Sequence, residues 1–239
     1  MSEKPSMDID SVMNMIIYLH GPDLHASVQL HWCEFRFGTA PVIANSIWIP
    51  CYPYIGKDTI FTKLNEPQKS SDIYIGRNFR AAEGGTKNTD IDYASAISFD
   101  IDVVRPKEVP ATLEQVQYAS SIEEQLIKQI GAGALVMSGN GYHVIVRLDH
   151  IFDVRGRREW FTDACERYCA KMQDQVCYDE RKVKFDPQFD LARIIRLGGT
   201  VSFKYKESPR QTTFQIVDDR CLPVETILEY AVSPPETVF

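Results

Sequence analysis

The sequence predicts an α/β fold, because its second half reads as strand, helix, hairpin, helix and strand. Residues 96–104 (AISFDIDVV) form an apolar strand, and residues 112–130 carry the apolar period of a helix that ends at Gly131. Asn140-Gly141 lies between two apolar runs, and both residues tolerate positive φ, so the pair predicts a hairpin turn. This order of elements is the split βαβ pattern of ferredoxin-like and RNA-recognition-motif-like folds.

Further elements surround this unit. In the same half we expect a helix at 157–175, a short helical segment at 190–196, strands at 200–204 and 212–217, and a last helix at 223–230. Before it we expect a helix within 1–20, strands within 28–48, a loop at 52–69, a strand at 73–75 and a flexible connector at 81–92. The chain is then a single domain in which an N-terminal α/β lobe (1–88) packs against an RNA-recognition-motif-like lobe (89–239).

Composition narrows the functional classes. The chain has 239 residues, of which 44% are hydrophobic; this is ordinary for a globular protein and excludes disordered, collagen-like and fibrous classes. No apolar run approaches the roughly 18 residues of a membrane span, and the polar stretch 2–10 has no signal-peptide core, so we expect a cytoplasmic protein. Six cysteines without a secretory signal favour thiols or a metal site over a disulfide framework.

The charge balance is acidic, with a formal net charge of −7. This argues against indiscriminate binding to DNA, which depends on basic residues that neutralise phosphates. It leaves room for an enzyme that holds nucleic acid through one basic strip and metal ions. A solvated surface of mixed charge explains the same balance, so charge alone decides nothing about function.

Two carboxylates share one face of the strand at 96–104. Asp100 and Asp102 are two residues apart, so both point to the same side, and the apolar residues that alternate with them point into a core. Two anions side by side repel each other unless a cation compensates, and hard oxygen ligands favour magnesium or manganese. The alternative is the exposed polar face of an edge strand.

The hairpin turn Ser138-Gly139-Asn140-Gly141 is a candidate anion site. Its glycines let the backbone turn tightly and present N–H groups, and His143 follows on the return strand near the same end. An imidazole beside a phosphate donates a hydrogen bond, which is charge-assisted when the ring is protonated. A simple hairpin with a packed histidine is the alternative.

The segment from Asp186 to Lys204 supplies an acid and cations in an otherwise apolar stretch. On the expected helical segment Arg193 and Arg196 are three residues apart and share one face, which suits the clamping of a triphosphate. A face of surface salt bridges is the alternative. Asp190 rivals Asp186 as a third acid, but Asp190 is well placed as a helix cap, so Asp186 is preferred.

Together, these elements resemble the motifs of the archaeo-eukaryotic primase superfamily, the primase-polymerases. That family has two acids separated by one residue on an apolar strand, a small residue and a histidine on a hairpin, and an acid before a basic, apolar segment. In its phage and plasmid branch the last motif typically reads D…DLARxxRxPGTxxxK, which residues 186–204 match with Gly198 in place of proline. The same branch often has a G-x-N-P-R-like segment upstream, which residues 76–80 match with Phe79 in place of proline. The resemblance covers residues 73–204 in the family's order and spacing.

The resemblance implies a role for each matching residue. Asp100, Asp102 and Asp186 would be the catalytic acids, and they would hold two magnesium or manganese ions between the triphosphate and the 3′-hydroxyl. The residues that it assigns to the nucleotide are Ser138, Gly139, Asn140 and His143 at the β- and γ-phosphates, Arg193, Arg196 and Lys204 at the triphosphate or sugar, and Arg80 at the nucleotide or template backbone.

The activity implied by the resemblance is that of a DNA-dependent primase-polymerase, a nucleotidyltransferase that starts and extends short primers on single-stranded DNA from NTP or dNTP substrates. Two alternatives stay open. One is a repair or gap-filling polymerase of the same superfamily that cannot start chains, and the other is a non-catalytic replication-initiation module that binds nucleotide or DNA. The tail at 233–236 reads as the start of a linker, which predicts a helicase or another replication or repair module as partner, in a bacterial, archaeal, phage or plasmid context.

The cysteines allow a weaker hypothesis. Cys165 and Cys169 are four residues apart on the expected helix at 157–175, Cys177 follows, and His150 would complete a structural zinc site. The sequence contains no C-x-x-C pair, and helical cysteines at this spacing are commonly core residues, so the core role is favoured.

Overall fold

The structure, a computed structural model, describes residues 6–21, 31–39, 42–50, 56–107, 109–186 and 188–232. The α-helices of these ranges, α1 to α5, are Ile9–His20, Lys57–Gln68, Leu113–Ile130, Arg158–Asp174 and Val224–Leu228. The strands, β1 to β11, are Trp32–Thr39, Val42–Pro50, Asp72–Gly76, Tyr93–Val103, Gly133–Met137, Gly141–Asp153, Val183–Asp186, Ile194–Arg196, Val201–Ser202, Arg210–Gln211 and Thr213–Asp218. None of the helices in the described ranges has the length and apolar content that a membrane span requires.

The second half of the chain forms a five-stranded antiparallel sheet in the order β11-β5-β6-β4-β7. Along the chain, β4, α3, β5, β6, α4 and β7 follow one another as strand, helix, hairpin, helix and strand, so the predicted split βαβ arrangement is confirmed. The closing strand is β7, however, and not the predicted segment 200–204. Of that segment only β9 is a strand, and it pairs in a small hairpin with β10.

Helix α3 begins and ends where the sequence predicts. Thr112 Oγ1 accepts a hydrogen bond from Gln115 N at 3.2 Å, and Thr112 N donates to Gln115 Oε1 at 2.9 Å, so each residue caps the other. At the other end Gly131 has a φ of 77°, a left-handed conformation that glycine adopts without steric cost. Helix α1 begins at Asp8, whose carboxylate accepts hydrogen bonds from two backbone N–H groups of the first turn.

A second, four-stranded antiparallel sheet joins the two halves of the chain. Its order is β2-β1-β3-β8, so three strands come from the N-terminal part and the fourth from the second half. The fully buried Ile75 and Ile195 of this sheet share one core with α1 and with Ile145 of the five-stranded sheet. The division of the chain at residue 88 stays a prediction, and the four-stranded sheet includes a strand from beyond that point.

Residues 57–68 form helix α2 and not the predicted loop. Gly56 and Pro67, which suggested a loop, lie at its two ends. Ile60 and Leu64 are one turn apart and fully buried, so tertiary packing of this face outweighs the weak helical signal of the segment. Residues 52–55 of the same prediction lie outside the described part of the chain.

Residues 190–196 are not helical, contrary to the prediction. Their second half is strand β8, which pairs with β3 so that Ile195 lies opposite Ile75. β-Branched residues pack well on a pleated sheet, and this pairing overrides the three-residue spacing that suggested a helix. The expected flexible connector at 81–92 is also more ordered than predicted, with a turn of 3-10 helix at Asn88–Asp90.

Candidate active site

Three carboxylates and a histidine meet at one end of the five-stranded sheet. Asp100 on β4 lies directly opposite Asp186 on β7 and directly opposite His143 on β6. Directly opposed residues of an antiparallel pair point to the same face, and Asp102, two residues further along β4, points there too. The structure therefore brings the three predicted acids and the predicted histidine together. It excludes the edge-strand alternative, because β4 is paired on both sides.

The opposite face of β4 fixes the strand in this orientation. Phe99 and Ile101 alternate with the acids, are 3% and 0% exposed, and pack into the core that α3 and α4 complete. A shift of register by one residue would bury the carboxylates and expose this apolar set. The hydrophobic pattern thus holds the acids on the open side of the sheet.

Asp100 is the most enclosed of the three acids. Its Oδ1 lies 3.6 Å from His143 Nδ1, and its Oδ2 accepts a hydrogen bond from Gln188 Nε2 at 3.0 Å. Burial raises the pKa of Asp100; the nearby His143 lowers this pKa, whereas the negative charges of Asp102 and Asp186 raise it. The ionised form of Asp100 is therefore electrostatically disfavoured unless a further cation joins the cluster.

The other two acids are more exposed and have cationic neighbours. Asp102 Oδ1 lies 3.5 Å from Arg105 Nη1, and Asp186 Oδ1 lies 2.6 Å from Lys184 Nζ. Their side chains are 30% and 41% exposed, and that of Lys184 is 52% exposed. Ion pairs at such exposed positions stabilise a protein by roughly 0–1 kcal/mol, so Lys184 can leave Asp186 at little cost.

The residues at this site fit a divalent metal ion. Carboxylate oxygens are the ligands that magnesium and manganese prefer, and three carboxylates face the same space. His143 Nδ1 is buried and has no hydrogen-bond partner among the described residues, which leaves a polar atom unsatisfied beside the cluster. Within the described ranges no three acidic, histidine or cysteine side chains are already gathered at ligand distance. Lys184 holds Asp186 instead, and an ion would compete with that contact.

The turn between β5 and β6 is tightly built. Ser138 N and Oγ both donate to the Gly141 carbonyl at 2.9 Å. Gly139 has a φ of 99°, and a Cβ there would lie 3.2 Å from a side chain of β9, so this position favours glycine. Asn140 is 4% exposed, and its side-chain oxygen accepts a hydrogen bond from Ala111 N at 3.1 Å. Asn140 thus braces the turn with its side chain.

Arg210, which sequence reasoning missed, locks this turn in place. Its Nη1 donates to the Gly139 carbonyl at 2.8 Å and to Asn140 Oδ1 at 3.3 Å, and its Nη2 donates to the Ala111 carbonyl at 2.8 Å. No local motif marks this arginine, because only the pairing of β9 with β10 brings it to the turn. Lys204 lies in the loop between the same two strands and is exposed.

The two arginines of the basic segment have different surroundings. Arg193 Nη2 lies 2.7 Å from Asp190 Oδ2, and the charge of Arg193 opposes the burial that raises the pKa of Asp100. Arg196 is 6% exposed and pairs with Asp72 Oδ1 at 2.7 Å. The shared helical face predicted for these arginines does not form, because the segment is extended. Arg193 lies near the acids, whereas Arg196 is part of a buried ion pair.

Two solved structures show the same architecture. The AEP domain of the cyanophage S-2L primase-polymerase superimposes with a TM-score of 0.58 at 12% identity, over 95% of this chain and 100% of that one. The catalytic domain of primase RepB′, solved in complex with initiator DNA, superimposes with a TM-score of 0.52 at 9% identity, over 93% and 92% of the two chains. No family model matches the sequence, and no curated protein does.

The chain has the archaeo-eukaryotic primase fold. The fold implied by the sequence motifs, an RNA-recognition-motif-like lobe against an N-terminal α/β lobe, is thus confirmed. At 9–12% identity the likeness is one of fold, so the residue roles rest on the geometry of the site itself.

Arg80 serves the primase fold from inside the protein. It is fully buried, its Nε donates to Glu34 Oε2 at 2.7 Å, and its Nη2 donates to the Ala192 carbonyl at 2.8 Å. These bonds tie β1 to the chain that leads into β8. The predicted contact with nucleotide or template has no open face of Arg80 on which to form.

A buried hydrogen-bond network holds the side chain of Asp100 in position. Arg77 is 1% exposed, and its Nη1 donates to Ser98 Oγ at 2.8 Å and to the Gln188 carbonyl at 2.5 Å. Ser98 Oγ donates in turn to Gln188 Oε1 at 3.3 Å, and Gln188 Nε2 holds Asp100. Burial lowers the pKa of Arg77 to about 10, so this arginine keeps its charge at neutral pH. Sequence reasoning assigned no role to Arg77 or Gln188, although both lie inside motifs that it singled out.

The cysteines of helix α4 belong to the core. Cys165 is 2% exposed, and burial raises the pKa of its thiol. Burial also raises the pKa of the Cys169 thiol to about 12, so both sulfurs are protonated at neutral pH and are poor metal ligands in this state. Cys177 is exposed, and His150 Nδ1 lies 2.9 Å from Asp149 Oδ1.

Proposed function

We propose that the chain is a DNA-dependent primase-polymerase, a nucleotidyltransferase that starts and extends short primers on single-stranded DNA. The observation that carries this proposal is the convergence of Asp100, Asp102, Asp186 and His143 at the open end of one sheet. The fold shared with a primase-polymerase domain and a primase catalytic domain supports the same reaction class.

The three acids would hold two magnesium or manganese ions. When bound, such ions stabilise both the attacking and the leaving oxygen of an in-line displacement at the nucleotide's phosphate. The protein fixes the carboxylates on paired strands, which keeps their spacing constant. Gln188 holds Oδ2 of Asp100, so that Oδ1 stays on the side of His143.

His143 and the turn at 138–141 would hold the outer phosphates of the nucleotide. The ring of His143 lies beside Asp100 and donates a hydrogen bond to a phosphate oxygen placed there. Ser138 N and Gly139 N already donate within the hairpin, to the Gly141 carbonyl and to Met137 Sδ, so the exposed Lys204 would supply the further cation. Arg80 and Arg196 are buried, so the proposed nucleotide-binding residues do not include them.

The proposed partners are a single-stranded DNA template and NTP or dNTP substrates. A related fold, the catalytic domain of RepB′, was solved in complex with initiator DNA, which supports DNA as the nucleic acid. A helicase or another replication or repair module remains the proposed larger partner, in a cytoplasmic setting. The tail at 233–236 that suggested it lies outside the described residues.

A primer-synthesis assay on unprimed single-stranded DNA tests the proposal. With manganese or magnesium and labelled ribo- and deoxyribonucleotides, the wild-type chain should make new short products, and Asp100→Asn should make none. Asp163→Asn is the matched control, because it removes the same charge from an exposed acid on α4 and should leave synthesis unchanged.

The other outcomes separate the alternatives. Extension of a supplied primer without synthesis on unprimed DNA would contradict the priming claim and identify a gap-filling polymerase. Metal-dependent nucleotide binding without incorporation under either condition would contradict the enzymatic proposal and identify a replication-initiation module.

A further inference from the structure

We propose that a cationic cleft beside the carboxylate cluster binds backbone phosphates of the single-stranded DNA template. The inference rests on the proposed function. The proposed site combines residues of one primase motif with residues that lie outside all of the motifs. The cleft has a volume of about 370 Å³ and is lined chiefly by Arg36, Thr86, Lys87, Asn88, Asp190 and Arg193. It combines β1, the connector after β3 and the chain before β8.

Positive charge is in excess in this cleft. Glu34 is fully buried between two arginines, with Oε1 at 2.5 Å from Arg36 Nε and Oε2 at 2.7 Å from Arg80 Nε. Because Arg80 neutralises Glu34 on its own, the charge of Arg36 is left over, on a side chain that is 23% exposed. Lys87 is exposed at the rim. A phosphate that enters the cleft therefore meets two cations of the N-terminal part.

Lys87 is held at the rim by a closed loop. The backbone of the loop is joined at its base by a hydrogen bond from Ala81 N to the Asp90 carbonyl at 2.7 Å. Asp90 Oδ2 accepts hydrogen bonds from Thr86 N and Lys87 N, both at 2.8 Å. A Cβ on Gly85 would lie 2.8 Å from Asp90 Cβ, so the packing of the loop depends on this glycine. The position of Lys87 is thus fixed through its backbone, which reduces the ordering needed to bind a phosphate.

The cleft lies on the opposite side of Asp100 from His143. His143 is on β6, and β4 separates it from β7, whose chain continues through Asp190 and Arg193 into the cleft. A nucleotide whose outer phosphates lie at His143 directs its sugar and base away from that residue. A template phosphate bound in the cleft would therefore lie apart from the outer phosphates held at His143.

An aromatic side chain on the same sheet face favours a nucleic acid over a lone triphosphate. Trp48 of β2 lies directly opposite Glu34 of β1, so its side chain is on the same sheet face as Glu34 and Arg36. Trp48 is partly exposed. Single-stranded nucleic acids are commonly bound by a basic groove with aromatic rings on which the bases stack.

The test is a double variant, Arg36→Gln with Lys87→Gln. Its matched control is Lys63→Gln with Lys128→Gln, which removes two charges from exposed lysines on α2 and α3. Binding of a fluorescent single-stranded oligonucleotide is measured by anisotropy without nucleotide, over a range of salt. We expect the double variant to bind about tenfold more weakly, with a salt slope lower by about 1.4, since each contact to a single strand contributes about 0.7. The KM for nucleotide on a saturating primed template should equal that of the control.

Two results would overturn the proposal. A raised KM for nucleotide with unchanged DNA affinity would make the cleft a triphosphate site, and a loss of DNA affinity no larger than in the control would remove the site altogether. Glu34 keeps its pair with Arg80 in the double variant, so an unchanged unfolding temperature is expected and serves as the check on folding. Because DNA binding is measured without catalysis, an inactive chain would contradict the proposed function and leave this test intact.

Discussion

We expect the proposed catalytic position of Asp100 to cost stability. Burial and the neighbouring acids Asp102 and Asp186 raise its pKa above the usual 3.8. A carboxyl whose pKa is raised in the folded state contributes stability below its unfolded pKa and loses it as the pH rises through the folded pKa. At pH 7 we therefore expect Asp100→Asn to unfold at a temperature about 3 °C higher than the wild type, the shift that ~1 kcal/mol gives in a chain of this size. Calorimetry measures this, and the difference should disappear below pH 3.8.

A bound metal ion should make the wild type unfold at a higher temperature than Asp100→Asn. Manganese that binds the folded wild type and not the unfolded chain raises its unfolding temperature by mass action, whereas Asp100→Asn, which lacks one of the ligands, should respond much less. Thermal melts at increasing manganese measure the effect without any need for catalysis, with Asp163→Asn as the control. Equal shifts in the wild type and in Asp100→Asn would contradict a metal site at this cluster.

We expect Gln188 to be a positioning residue, because its amide holds Asp100 and would act on the reaction only through that carboxylate. Loss of one hydrogen bond to a charged group corresponds to about 1.5 kcal/mol, so Gln188→Ala should lower the rate of primer extension about tenfold. It should also raise the half-saturating manganese concentration, with the KM for nucleotide unchanged. Gln175→Ala, at an exposed position after α4, should change none of these values. If only the unfolding temperature falls in Gln188→Ala, the residue has a structural role and no positioning role.

The sequence alone predicts which acids share a face, but not which residues hold the site in position. The alternation of Asp100 and Asp102 with apolar residues requires both acids to share a face, whatever the rest of the fold. Gln188 and Arg210 act through residues 88 and 70 positions away along the chain. Such contacts exist only after the sheets have formed, and no local spacing announces them.

At the scale of elements, helix α1 depends on the glycines before β9. Asp8 N donates to the Gly199 carbonyl at 2.7 Å, and Gly199 has a φ of 85°. A Cβ at this position would lie 2.6 Å from the Asp8 carbonyl oxygen. Gly199→Ala should therefore lower the free energy of unfolding by about 3 kcal/mol, from backbone strain and displacement of the helix start. Urea denaturation measures the change.

Gly156→Ala is the matched control for that substitution. Gly156 has a φ of 73°, and nothing lies within 4 Å of a Cβ built on it, so only the backbone strain of about 1 kcal/mol applies. Equal losses of stability in the two variants would show that the contact with α1 contributes nothing.

The two departures from the family motifs have packing explanations. A Cβ at Gly198, where the family branch usually has proline, would lie 2.6 Å from Phe214 Cβ. Phe79, at the other proline position, is fully buried and packs against the His20 ring with 4.4 Å between the centroids. Both positions lie in the interior between the two sheets, where side-chain volume is fixed by neighbours.

Elements with strong local signals were the predictable ones. Helix α3 has a reciprocal cap at Thr112 and Gln115 and a glycine stop, so its two ends are written in the sequence. Helix α2 and strand β8 have weak local signals, and both form because Leu64 and Ile195 find partners in the core between the sheets. Tertiary packing determines the structure of these two segments, so predictions from their local sequence were wrong.

At the scale of the molecule, the candidate site depends on both halves of the chain. The order of strands and helices in the second half predicted the five-stranded sheet, because the split βαβ pattern admits few topologies. The pairing of β8 with the four-stranded sheet was not predictable, since no local feature states which sheet a short strand joins. That pairing places Arg193 in the wall of the cationic cleft and near the acids, and so joins the proposed chemistry to the proposed template path.

The proposed two-metal centre depends on which residue is its third acid. Asp186 lies opposite Asp100 in the sheet, whereas Asp190, four residues on, is bound to Arg193. Extension of a primed template with manganese should be measured for Asp186→Asn and Asp190→Asn side by side. We expect a loss of about a thousandfold or more for Asp186→Asn and a change of less than about tenfold for Asp190→Asn. Full activity in Asp186→Asn, or an equal loss in Asp190→Asn, would contradict a catalytic centre built from the acids of β4 and β7.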